Sequence, residues 1–134
     1  MVELKFYKVS GLNFVNNVQN GTQLKLKNQV KYNVNYFGEE KRCVGKLDFT
    51  VNDEEMNPFE IRVQMEAVFT YSDGDEQPDI HTESFDQLFP FLRQVIHETT
   101  AMSGMPGLLI PLMKLDRSNV NVNKAPENEN SPLN

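Results

Sequence analysis

This sequence has little from which to build a chemical centre. One cysteine, Cys43, stands alone among 134 residues, which excludes an intrachain disulfide and any zinc site made of several cysteines. There is no glycine-rich phosphate loop, no Gly-x-Ser-x-Gly elbow and no carboxylate pair with a clear partner. No apolar run is long enough to span a membrane, and the opening MVELKFYKV lacks the apolar core of a secretion signal. Lysine and arginine cluster on no predicted element, and the formal net charge is −6. Nucleic acid and anionic membrane are held through basic patches, so neither is expected as a partner. These absences predict a cytoplasmic, acidic, single-domain protein with no cofactor, no metal and no enzymatic activity.

What is present is alternation. Phe6, Val9, Leu12 and Phe14 predict one strand between Leu4 and Val15, interrupted at Gly11. Asn20-Gly21 signals a turn; with Thr22 it also matches a glycosylation sequon, which means nothing without secretion. Leu24, Leu26, Val30, Tyr32, Val34 and Tyr36 share one parity while lysines, asparagines and Gln29 hold the other. That is a long strand with one buried and one wet face. Gly38-Glu39-Glu40 reads as a turn, and Leu47, Phe49 and Val51 begin a second alternating run. After a turn at Asp53 to Pro58, the cleanest run follows at Phe59, Ile61, Val63, Met65, Ala67, Phe69 and Tyr71. Three long strands joined by short turns make an antiparallel meander, and the N-terminal strand adds a fourth.

Beyond an acidic loop at Ser72 to Glu83, the period changes. Leu88, Phe91, Leu92, Val95, Ile96 and Met102 line one face of a helix, with Pro90 placed near its first turn. Gly104 and Pro106 end it. Then comes a short greasy segment, Leu108-Leu109-Ile110-Pro111-Leu112-Met113, and after Asp116 a tail of Asn, Pro and Glu with almost nothing to bury. Residues 117–134 are expected to be a disordered polar tail on a domain of residues 1–116.

The residues that could suggest chemistry do not form a constellation. His97-Glu98 lacks the second helical histidine of a zinc protease, and His81 lies on the far side of Pro90. The loop carboxylates Asp73, Asp75, Glu76 and Asp79 resemble the start of a calcium loop. Position 12 of that loop would be Ser84 in place of glutamate, so a solvated loop is the better reading. Cys43 has no nearby base in sequence and reads as a buried or edge-strand thiol.

The apolar surplus says more. A helix about 10 Å wide cannot cover four strands spanning roughly 15–20 Å. Phe85, Phe89, Phe91 and the 108–113 segment exceed what one short helix needs for docking. The excess packs on the sheet, joins a second copy of the chain, or forms a groove for extended apolar segments of other proteins.

The chain resembles the SecB family of export chaperones in the order of its motifs. Leu88-Phe89-Pro90-Phe91 with Arg93 is similar to the motif that opens the family's long helix. Gly104-Met105-Pro106 is similar to the turn that ends it, and Leu108-Leu109-Ile110-Pro111 through Leu115-Asp116 to the segment that follows. Phe59 to Gln64, Val68-Phe69 and Leu12-Asn13-Phe14 resemble strand motifs of the same family. The resemblance covers roughly residues 4–116. It implies an α+β fold, a four-stranded antiparallel sheet with one long helix packed on it and an extended crossover segment. It also implies a homo-oligomer, a dimer of dimers, and holdase activity on unfolded or partly folded polypeptides without ATP. On this reading the client groove is lined by Phe14, Phe69, Phe89, Leu108, Leu109, Ile110, Leu112 and Met113. The subunit interface is Leu92, Val95, Ile96, Thr99 and Met102. The positions matching the family's SecA-docking carboxylates are Gly11, Val15 and Arg62, and no amphipathic final helix follows Asp116. Those departures make SecA a doubtful partner. They leave a dedicated chaperone or assembly subunit for one partner, such as a toxin–antitoxin system, as the alternative to export.

Overall fold

Alternation of apolar and polar residues builds four strands and a change of period builds one helix. In the computed structural model these are β1 (Glu3–Asn16), β2 (Leu26–Phe37), β3 (Arg42–Asp53), β4 (Phe59–Thr70) and α1 (Gln77–Met102), with a 3-10 turn at Gly38–Glu40. The structure describes residues 1–19 and 21–115, so the tail expected at 117–134 lies outside the described residues. The sheet is antiparallel throughout, in the order β1-β4-β3-β2.

The two central strands are sealed on one face. Cys43, Leu47, Phe49 and Val51 of β3 and Phe59, Ile61, Val63, Met65, Ala67 and Phe69 of β4 are each at most 2% exposed. Their even-numbered neighbours face the other way and are partly exposed, Asp48 excepted. That carboxylate is held by Arg62 through Nε (3.0 Å) and Nη2 (2.6 Å). The strand β3 starts five residues before the run that announces it at Leu47. Gly45 hides the alternation there and has a packing reason to be glycine: a Cβ would collide with the Tyr32 hydroxyl. That hydroxyl shares a 2.6 Å hydrogen bond with Ser84 Oγ, tying β2 to α1.

The irregularity in β1 is two bulges. Its register against β4 shifts between Leu4 and Phe6 and again between Val9 and Gly11. Each extra residue flips the parity. Leu4, Tyr7, Val9, Leu12 and Phe14 therefore share the helix-covered face, while Phe6 turns to the opposite one beside Val68. A break near Gly11 was legible in sequence; the bulge that turns Phe6 was not.

The helix starts eleven residues before Leu88, at Gln77, with Pro78 in its first turn. Its buried stripe is Ile80, Ser84, Phe85, Leu88, Phe89, Leu92, Ile96 and Thr100. Half of the expected acidic loop is thus helical, with Glu83 on the exposed side. Pro90 lies inside the helix rather than in its first turn, on the exposed side, where its ring displaces nothing from the core. Gly104, at φ +99°, takes the left-handed conformation just past the last turn.

Because β1 and β2 are opposite edges, residues 17–25 must traverse three strand spacings, roughly 14 Å. This connection is pinned at both ends to the β3–β4 hairpin. Asn17 N–H donates to Pro58 O (3.0 Å), and Lys25 N–H donates to Asp53 Oδ1 (2.7 Å). Burial alone would raise the Asp53 carboxyl. Hydrogen bonds from Asn57, Lys25 and Glu55 outweigh that and hold it below the usual carboxylate range.

Candidate functional site

After Gly104 the chain doubles back along α1 as an extended strap. Leu108 N–H donates to Thr100 Oγ1 (2.8 Å), Arg93 Nε donates to Ile110 O (2.6 Å), and Lys114 Nζ meets Asp86 Oδ2 (3.3 Å). The partners step backward along the helix as the strap advances, so the two run antiparallel. Thr100 can accept because its own proton goes to the Ile96 carbonyl (2.8 Å), a common arrangement for a buried helical threonine. Gly107 presses on the imidazole of His97, and a Cβ there would lie 2.5 Å from Nε2. At the strap's start, Met105 Sδ accepts from Asn16 Nδ2 at 3.7 Å. Arg93, Thr100, His97 and Gly107 are thus the anchors. Sequence reasoning assigned none of them that part, because their partners are mostly backbone groups.

An extended backbone alternates its side chains, and the strap does so up to its proline. Ile110 is buried at 3% exposure, Leu108 and Met113 are half-buried, and Leu109 and Leu112 stand out at 76% and 68%. The remaining residues expected in the groove divide. Phe14 is half-buried, edge-on to Phe59 at 5.9 Å. Phe69 and Phe89 lie in the core at 0% and 1%, where they can form a floor but not a surface. The residues expected at the subunit interface divide too. Leu92 and Ile96 are fully buried against the sheet, whereas Val95 and Thr99 are half-buried and Met102 is 85% exposed. On the helix-covered face of β1, Phe91 packs against Tyr7 (ring centroids 4.6 Å apart), yet Tyr7, Val9 and Leu12 remain 37%, 39% and 51% exposed. A depression of about 320 Å³ lies elsewhere, at the β3–β4 hairpin near Asn52 and Met56.

Cys43 and His81 are both packed into the fold. Cys43 is buried, and burial pushes its thiol up to about 12, which removes it as a nucleophile near neutral pH. No group of three or more potential metal ligands occurs among the described residues. His81 sits edge-on to Tyr32 (5.1 Å), and burial lowers its pKa below the ordinary histidine value. A lowered folded-state pKa means that the unfolded chain binds the proton first as pH falls. The stability this group contributes is complete above about pH 6.5, the unfolded value, and is lost on acidification below it. Denaturation midpoints at about pH 7.5 and 5 should therefore differ more in the natural protein than in His81→Phe. Equal differences would show that His81 is not the group responsible.

The sheet order, the single long helix on one face and the strap define the class: this is a SecB-like fold. No protein-family model and no curated protein matches the chain. Among solved structures, it is similar to a SecB-like chaperone from Mycobacterium tuberculosis in complex with a ChAD peptide from the HigA1 antitoxin. That likeness has a TM-score of 0.69 at 12% identity, over 84% of this chain and 90% of that one. It is also similar to a protein of unknown function from Streptococcus agalactiae, with a TM-score of 0.54 at 16% identity over 84% and 98% of the two chains.

Proposed function

We propose that this chain is an ATP-independent chaperone that holds extended apolar segments of non-native polypeptides. The observation that carries the reading is the strap: its backbone is pinned by Arg93 and Thr100, yet it presents Leu109 and Leu112 to solvent. Apolar side chains on a fixed, exposed backbone suit a client, because little ordering entropy is lost when they are covered. In this reading Leu108, Leu109, Leu112, Met113 and Phe14 touch the client, over a floor that includes Phe69, Phe89 and Ile110. Val95, Thr99 and Met102, with Leu92 and Ile96 bracing them from within, form the subunit contact of a dimer of dimers. In this reading the protein is a cytoplasmic, non-enzymatic chaperone that serves protein export, with SecA a doubtful partner.

A second reading is a dedicated chaperone for one partner. Two observations favour it. The similar M. tuberculosis structure holds an antitoxin peptide, and the positions corresponding to SecA-docking carboxylates are Gly11, Val15 and Arg62. Light scattering of several unrelated unfolded proteins, without nucleotide and with the chain in several-fold excess, separates the readings. Suppressed aggregation of all of them supports the general holdase; suppression of a single stoichiometric partner supports the dedicated one. No suppression of any of them would sink the general holdase and leave the dedicated reading, which a pull-down returning one stoichiometric partner would support.

A further inference from the structure

Charge is unevenly divided between the two sides of the sheet. Over the whole chain acidic residues outnumber basic ones, 19 to 13. On the face turned away from α1 the order is reversed: register places Lys8, Lys27, Lys31, Arg42, Lys46 and Arg62 there against Glu3, Asp48, Glu60 and Glu66. Arg62 is committed to Asp48 (2.6 Å) and Arg42 to Glu40 (2.7 Å). Lys8, Lys27, Lys31 and Lys46 have no ion pair among the described residues. The negative charge collects instead along 73–86, in the loop and the first half of α1.

One end of this basic face is apolar. The bulge between Leu4 and Phe6 turns Phe6 outward, where it pairs across to Val68, which in turn pairs with Val44. Phe6 is 60% exposed and Phe37, capped by the Arg42 guanidinium at 4.6 Å, is 43% exposed. The next row across the sheet is Lys8, Glu66 and Lys46. An apolar row beside two unpaired ammonium groups, on a face whose exposed apolar residue outside that end is Val15, at the opposite one, is a matched surface rather than scattered greasy residues.

We propose that this outer face docks a short acidic segment of another polypeptide. An aliphatic or aromatic side chain of that segment covers the Phe6–Val68–Val44 row, and its carboxylates face Lys8 and Lys46. Charge complementarity selects the occupant. Glu66 between the two lysines, with Asp48 and Glu60 on the same face, disfavours a phosphate backbone, which rewards uninterrupted positive charge. The surface lies across the sheet from the strap, so it stands or falls independently of client binding.

Fluorescence anisotropy with a labelled peptide of alternating glutamate and leucine, and with its lysine-for-glutamate counterpart, tests the proposal. The acidic peptide should bind, more weakly as salt rises. Phe6→Ser, and separately Lys8→Glu with Lys46→Glu, should each weaken it roughly tenfold, whereas Leu109→Asp should leave it unchanged. Phe6 and Lys8 are exposed, so unchanged thermal midpoints are expected; should Lys46→Glu perturb folding, Lys8→Glu alone carries the charge test. No binding by the natural protein, equal binding of both peptides, or equal binding of a labelled DNA duplex overturns the proposal. So does loss with Leu109→Asp alone, which would place the peptide at the strap. A concentration-dependent rise in mass by light scattering that Phe6→Ser abolishes overturns it in favour of a second copy of the chain.

Discussion

Alanine at Phe89 is expected to lower the unfolding free energy by about 3–5 kcal/mol, with no change in how the remaining folded protein engages a client. The ring is 1% exposed, edge-on to Phe49 at 5.8 Å and stacked on Phe85 at 5.0 Å. It sits where the helix meets the middle of the sheet, flanked on its own stripe by Leu88 and Leu92, both at 0%. Truncation leaves a void between two rigid elements that cannot collapse into it, so the cavity cost adds to the lost transfer energy. Urea denaturation measures the difference. A loss below about 1 kcal/mol would mean that α1 is not docked through this ring. A fully stable variant with weakened client binding would return Phe89 to the groove surface.

The distinction between floor and surface is the kind that sequence could not supply. Parity identified which side of β4 was buried, and every residue on that side from Phe59 to Phe69 is in the core. Parity could not say whether Phe69 lay under the helix or in an open groove, because both environments call for an apolar ring. The same ambiguity covers Leu92 and Ile96. Helical spacing correctly joined them to one stripe, but the stripe faces the sheet, and only its margin at Val95, Thr99 and Met102 stays accessible.

Other misreadings have equally local causes. Two bulges in β1 shift parity twice within fourteen residues, which makes a regular edge strand look mixed. The first half of α1 carries Asp79, Glu83 and Asp86 between its buried positions, and Pro90 looks like a start signal. Ile80, Ser84 and Phe85 nevertheless extend the buried face a full two turns upstream. The strap was legible as a greasy run that needed an explanation. Its anchors were not, since Arg93 reaches the Ile110 carbonyl and Thr100 the Leu108 amide, and backbone partners leave no mark in the sequence.

Those anchors make the strap the most sensitive place to test function without disturbing the fold. Leu109→Asp combined with Leu112→Asp is expected to weaken capture of an unfolded client by roughly thirtyfold or more, about 2 kcal/mol. Both side chains point outward, so neither substitution removes a core contact or buries a charge in the free protein. In a complex each carboxylate would have to be desolvated against apolar client, and that penalty falls only on the bound state. Thermal midpoints should therefore match the natural protein while aggregation suppression and client affinity collapse. Arg93→Ala makes the complementary case, because it frees the Ile110 carbonyl from its 2.6 Å donor while keeping both leucines. If presentation on a fixed backbone matters, that variant binds more weakly than its intact apolar surface would suggest; if hydrophobicity alone suffices, it binds as well as the natural chain. Undiminished capture by the double aspartate variant would move the client site off the strap altogether, to the exposed Val9 and Leu12 of β1 as the next apolar surface on that face.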